Sequence, residues 1–90
     1  METKGINILE EAFRKHNGVD ATISISHKLY GKQKLQCILN GFCDDCRIGF
    51  NVRKGHNIFI YSCDLVAYGV EDGIYFADNI MEISIKLNEQ

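Results

Sequence analysis

Proline is missing altogether from the 90-residue chain. Nothing therefore interrupts its strands by removing a backbone N–H donor, and long, strongly bent strands are open to it. No apolar run approaches the ~20 residues of a membrane-spanning helix. Internal repeats, low-complexity tracts and linkers are absent as well. The opening residues, Met1 to Lys4, lack the basic and apolar regions of a signal peptide, so the expectation is a cytoplasmic protein with no membrane contact. Catalytic patterns are equally scarce. There is no glycine-rich phosphate loop. Ser24, Ser26 and His27 have no carboxylate at a spacing that suggests a triad, and strand geometry turns neighbours to opposite faces. Asp44 and Asp45 are adjacent, and adjacent carboxylates do not converge on one substrate atom. No enzyme and no cofactor is expected.

What is present reads as one globular domain spanning residues 1–90, since a hydrophobic content of 46% sets the chain apart from disordered ones. A domain of this size buries only about two-thirds of its unfolded surface, so pairing between copies is a natural further source of stability. The first segment has a helical period. Ile6, Leu9, Phe13 and His16 form a stripe widened by Ala12, which predicts a helix over about 6–16, closed by Asn17 and Gly18. Asn7 with Glu10 has capping-box spacing, while Thr3 or Gly5 could start the helix earlier.

After Gly18 the period becomes two. Alternation predicts strands over 21–28, 34–42, 47–53 and 81–87, with Ile23, Ile25, Leu35, Leu39, Ile48, Phe50, Ile83 and Ile85 facing one core. Residues 57–63 are apolar on both faces through Ile58, Phe59, Ile60 and Tyr61. Turn residues separate these runs at Tyr30–Lys32, Asp44–Asp45, Lys54–His56, Glu71–Gly73 and Asp78–Asn79. Residues 63–70 fit either a further strand or an irregular crossing. Gly41 and Gly49 fall inside strand patterns, where a bend, a bulge or a close backbone approach is expected. The fold class expected is mainly β: a helix, then a strongly bent antiparallel sheet of five to six strands over about 21–87 that closes into a small barrel and so removes its edges.

Charge is unevenly placed. Residues 21–56 hold six Lys or Arg against two acids, whereas residues 57–90 hold one Lys against six acids. A basic middle permits contact with nucleic acid, and it is also what an ordinary solvated surface looks like. The candidate phosphate contacts are Lys28, Lys32, Arg47, Arg53 and Lys54. Tyr30 lies in a turn between two lysines, and an aromatic flanked by cations suits a single strand. Arg47 can stack on a base or pair with phosphate, or it can pair with Asp44 or Asp45. The Cys43-x-x-Cys46 spacing supplies half a zinc site, and Cys63, His56 or His27 would have to complete it across the sheet. A redox pair places its first cysteine at a helix N-terminus, and here the pair flanks a turn. No metal is expected; Cys37 and Cys63 read most simply as small core residues.

Three stretches resemble the Sm-like family, which includes the bacterial Hfq-type proteins. Residues 23–31 (ISISHKLYG) are similar to its opening strand and turn glycine. Residues 34–42 (KLQCILNGF) are similar to its bent second strand, which ends in phenylalanine. Residues 78–85 (DNIMEISI) are similar to its second motif. Cys37 replaces the family's small glycine, Cys43 its aspartate, and Arg47 stands where some members have a base-binding asparagine. The Hfq-type Tyr-Lys-His stretch corresponds to Tyr61, Ser62 and Cys63. The resemblance implies a small Sm-like or SH3-like barrel that assembles into a ring through edge strands. It further implies binding of single-stranded RNA, with Phe42 stacking on a base. Residues 58–61 are the expected seam between subunits. The competing expectation is a small β-barrel that binds a protein partner, as an inhibitor or adaptor from a phage or mobile element, with no nucleic acid involved.

Overall fold

The computed structural model describes residues 4–44, 46–52 and 55–88, with side chains from residue 7 onward. Helix α1 (Lys4–His16) is followed by β1 (Asp20–His27), β2 (Gly31–Ile38), β3 (Gly41–Cys43), β4 (Arg47–Val52) and β5 (His56–Tyr61). A short 3-10 turn, Ser62–Asp64, leads to β6 (Ala67–Gly69), β7 (Ile74–Ala77) and β8 (Met81–Leu87). The helix starts earlier than residue 6, so Asn7 lies inside it and not at its cap.

All strand pairs are antiparallel. They form two sheets, a five-stranded one in the order β2-β1-β8-β7-β6 and a three-stranded one in the order β3-β4-β5. The expected single sheet of five to six strands is therefore, among the described residues, eight strands in two sheets. The predicted strand over 34–42 is split at Leu39 and Asn40, where the chain bends from one sheet into the other. The segment over 63–70, left open by its pattern, is the 3-10 turn plus β6. Neither sheet closes on itself by strand pairing among the described residues. Hydrogen bonding nevertheless continues past the bend on both sides: Leu39 N–H donates to the Val19 carbonyl at 2.8 Å, and Asn51 N–H donates to the Asn40 carbonyl at 3.0 Å.

The core lies between the sheets. Ala21, Ile23 and Ile25 of β1 pair with Leu87, Ile85 and Ile83 of β8, and period-two geometry sends all six to the same side. Ile48, Phe50 and Ile60 come from the small sheet, and Ile74 and Phe76 from β7. Of the eight core residues expected from the sequence, seven are buried and Leu35 is half-buried. The helix adds Leu9 and Phe13 to this core and packs against β3 and β6. Phe13 meets Phe76 edge-on at 6.1 Å between ring centroids, an arrangement that suits the ring quadrupoles.

Gly41 explains how closely the helix docks. A Cβ there would clash with the Phe13 ring, so glycine lets the helix lie this close on β3. Asn17 then ties the helix end to the same strand: its Oδ1 accepts from Gly41 N–H at 2.7 Å. Gly18, at φ 91°, takes the left-handed turn that ends the helix and donates its N–H to the Leu39 carbonyl at 2.8 Å. The close backbone approach expected at Gly41 is realised, and Gly49 shows a second one, against Ile58 and Phe59.

Candidate nucleic-acid interface

Alternation along the small sheet separates its two faces. Gly41, Phe50 and Ile58 are partners across the three strands, as are Cys43, Ile48 and Ile60. These rows face the core. The row between them, Phe42, Gly49 and Phe59, therefore faces outward. On the same outer face Arg47 pairs with Tyr61, and Asn51 pairs with Asn57. The residues expected to be apolar on both faces of β5 thus divide, with Ile58 and Ile60 turned inward and Phe59 and Tyr61 turned outward.

Gly49 leaves the centre of this outer face without a side chain, and Arg47 spans the gap. Its guanidinium carbon is 5.5 Å from the Phe42 ring centroid and 5.4 Å from that of Phe59, within the range of a cation–π contact to each. Tyr61 stands edge-on to Phe59 at 5.4 Å and is 50% exposed. Asn51 Nδ2 donates to Asn57 Oδ1 at 2.7 Å. The surface so formed has two half-buried phenyl rings, an exposed tyrosine, a planar cation and a pair of amides.

Asp44 holds Arg47 in place. One carboxylate oxygen accepts from the backbone N–H of Cys46 at 2.9 Å and of Arg47 at 2.8 Å. The other accepts from Arg47 Nε at 3.3 Å and from its Nη2 at 3.1 Å. The two backbone N–H groups, followed by the guanidinium, hold the Asp44 carboxyl below the usual aspartate range. Of the alternatives open for Arg47 in the sequence, the ion pair with Asp44 is formed. It is a solvent-exposed pair and so adds little stability, but it fixes the direction of the guanidinium.

The remaining candidates lie elsewhere. Lys28 and Tyr30 are in the turn between β1 and β2, and Lys32 is on β2, all exposed. The Tyr30 ring lies 4.6 Å from that of His27, whose Nδ1 accepts from the N–H groups of Leu29 and Tyr30 at 3.0 and 3.3 Å. This group belongs to the five-stranded sheet, at the far end of β2 from Phe42. Arg53 and Lys54 lie outside the described residues. The structure therefore brings Phe42 and Arg47 together, separates them from Lys28, Tyr30 and Lys32, and adds Phe59, Tyr61, Asn51 and Asn57. Strand parity carried the missing signal, since in 57–61 the two aromatics occupy alternate positions.

The cysteines do not converge. Cys43 is half-buried on the inward-facing row, whereas Cys46 and Cys63 are exposed. Burial, followed by the charges of Glu10 and Asp44, pushes the Cys43 thiol up to about 11, so it stays protonated at neutral pH and is poorly suited to bind metal. Among the described residues no three His, Cys, Asp or Glu side chains are grouped as a metal site. No helix among them is long and apolar enough to cross a membrane. Comparison with protein-family models, with curated proteins and with solved structures gives no match.

Proposed function

We propose that the chain is a non-catalytic binding module that takes single-stranded RNA on the outer face of the β3-β4-β5 sheet. The observation that carries this reading is the planar Arg47 guanidinium held between Phe42 and Phe59 above Gly49. Aromatic rings and guanidinium planes are the surfaces on which unpaired bases stack. The amides of Asn51 and Asn57, two residues further along their strands, are of the type that hydrogen-bonds base edges. The resemblance to the Sm-like family points the same way, as does the position of Phe42 at the end of the bent strand. We further propose that the two sheets act as one barrel. In its support, hydrogen bonds run through the bend at Leu39 and Asn40, and α1 adds its buried face to the shared core.

The test is a titration of mixed-sequence single-stranded RNA at low salt, where electrostatic attraction is greatest. Phe42→Ala and Phe59→Ala should weaken binding with no change in salt slope, because stacking releases no counterion. A loss of roughly 1–3 kcal/mol per stacked base is expected. Asp44→Asn releases Arg47 from its carboxylate and should strengthen binding while steepening the salt dependence. Circular dichroism should be unchanged in all three, since the side chains lie outside the core. A parent protein that fails to bind at low salt ends the RNA reading and gives the aromatic face to a protein partner.

A further inference from the structure

We propose that the β2 edge of the five-stranded sheet takes up an extended segment of a partner protein as an added antiparallel strand, one in which acidic and apolar residues alternate. This contact does not depend on the RNA reading. In the order β2-β1-β8-β7-β6, β2 has a neighbour on one side only among the described residues, and its eight residues make a long edge. The direction of its backbone groups follows from the bend that ends it. Leu39 N–H donates to the Val19 carbonyl at 2.8 Å, and residues of an antiparallel ladder alternate between bonding to one neighbour and turning away from it. Gln33, Leu35 and Cys37 therefore bond toward β1. Lys32, Lys34 and Gln36 turn both N–H and C=O outward, where an arriving strand can bond them.

Side chains divide by the same period. Lys32 and Lys34 stand on the outer face, in register with Ser26 and Ser24. Leu35 and Cys37 stand on the core side, in register with Ile23 and Ala21, yet they are only half-buried where those two are fully buried. The core thus reaches this edge incompletely covered. An added strand sets every second residue against Lys32 and Lys34 and the intervening residues against Leu35 and Cys37. Carboxylates suit the first set and apolar side chains the second, because cross-strand neighbours of opposite charge attract. Charge selects the occupant further. No carboxylate occurs between Ala21 and Cys43, and Lys28 is exposed beside Lys32 and Lys34. Across the outer face Lys34 is followed by Ser24 and Ser84, and Lys32 by Ser26 and then Glu82, which is two strands away, about 10 Å. Lysines on an edge keep it from pairing with its own kind, and the same lysines attract a strand that carries acids.

A capped synthetic peptide of alternating glutamate and valine, as long as β2 and carrying a fluorophore, tests this by anisotropy with the whole chain at low salt. It should bind saturably. A peptide of the same composition with its glutamates and valines in two blocks should bind much more weakly, since it matches the charge but not the period. In the antiparallel pairing the glutamate N–H groups point at β2 and the valine N–H groups at solvent. N-methylation of the glutamates should therefore weaken binding by roughly tenfold or more, and N-methylation of the valines should leave it largely unchanged. Lys32→Glu with Lys34→Glu should lose binding, with circular dichroism unchanged because both side chains are exposed. Failure of the alternating peptide to bind overturns the proposal. So does equal binding of the block peptide, an equal effect of the two methylations, or binding that persists in the folded double variant. Displacement of the bound peptide by mixed-sequence single-stranded RNA also overturns it and gives these lysines to RNA. The methylated peptides need no change to the protein, so they decide the matter even where the charge reversal fails to fold.

Discussion

The exposure and electrostatics of single side chains separate the four cysteines into kinds that their spacing conceals. The Cys43-x-x-Cys46 pattern looks like half of a metal site, yet β3 turns Cys43 toward the core while Cys46 stands in the following turn. Burial raises the Cys43 thiol to about 11, and the thiolate is the reactive and metal-binding form. At mildly alkaline pH, iodoacetamide should modify the exposed Cys46 and Cys63 quickly and Cys43 slowly, which mass spectrometry of timed aliquots will resolve. The purified protein should contain no stoichiometric zinc. One zinc per chain, together with protection of both Cys43 and Cys46, would contradict this. Arg47 teaches the same lesson. Its residue type and its neighbours Asp44 and Asp45 make base stacking, phosphate contact and an ion pair equally readable, and only the structure shows that the ion pair with Asp44 forms while the guanidinium lies against the Phe42 and Phe59 rings.

At the scale of elements, the helix and most strands were legible because their periods are clean. The 3.6-residue stripe through Leu9 and Phe13 and the alternation of residues 21–28 and 81–87 leave little freedom. What was not legible had a short or ambiguous pattern. The three residues of β6 are too few to show a period, and β7, with Ile74, Tyr75, Phe76 and Ala77, is nearly continuous in apolar character. The bend at Leu39 and Asn40 has Gly41 beside it as a local marker, but that the chain passes there from one sheet to the other is plain only from the strand order. Gly41 is where these elements lock. Gly41→Ala should cost roughly 1–3 kcal/mol through overpacking against Phe13, read as a lower denaturant midpoint. Gly41→Ala combined with Phe13→Ala should lose less than the sum of the single losses, because each removes the other's clash or contact. Strict additivity would show that the helix does not rest on β3.

For the whole molecule, one core serves both sheets and the helix. Phe50 belongs to the small sheet and Ile83 to the large one, and both are completely buried. Phe50→Ala or Ile83→Ala should each destabilise the entire chain by about 2–5 kcal/mol, with the tyrosine fluorescence changing in the same transition as the far-ultraviolet signal. Separate transitions would mean that the sheets fold as independent units. The division between the outer face of the small sheet and the core was only half legible in the sequence. Phe42 is singled out by the resemblance to the Sm-like family, but Phe59 and Tyr61 are hidden in the run 58–61, where every residue is apolar. Telling floor from ceiling there required the register.

The central pairing of the large sheet joins residues 20–27 to residues 81–87, and this has a consequence for how the molecule is made. A ribosome delivers β1 early and its permanent neighbour β8 some sixty residues later. Until then β1 has only its hairpin partner β2 within the sheet, and Ile23 and Ile25 lack their neighbours Ile85 and Ile83. The nascent chain must therefore complete its hydrophobic centre after synthesis has nearly passed it. Contacts of such long sequence separation slow folding and prolong the exposure of sticky strands.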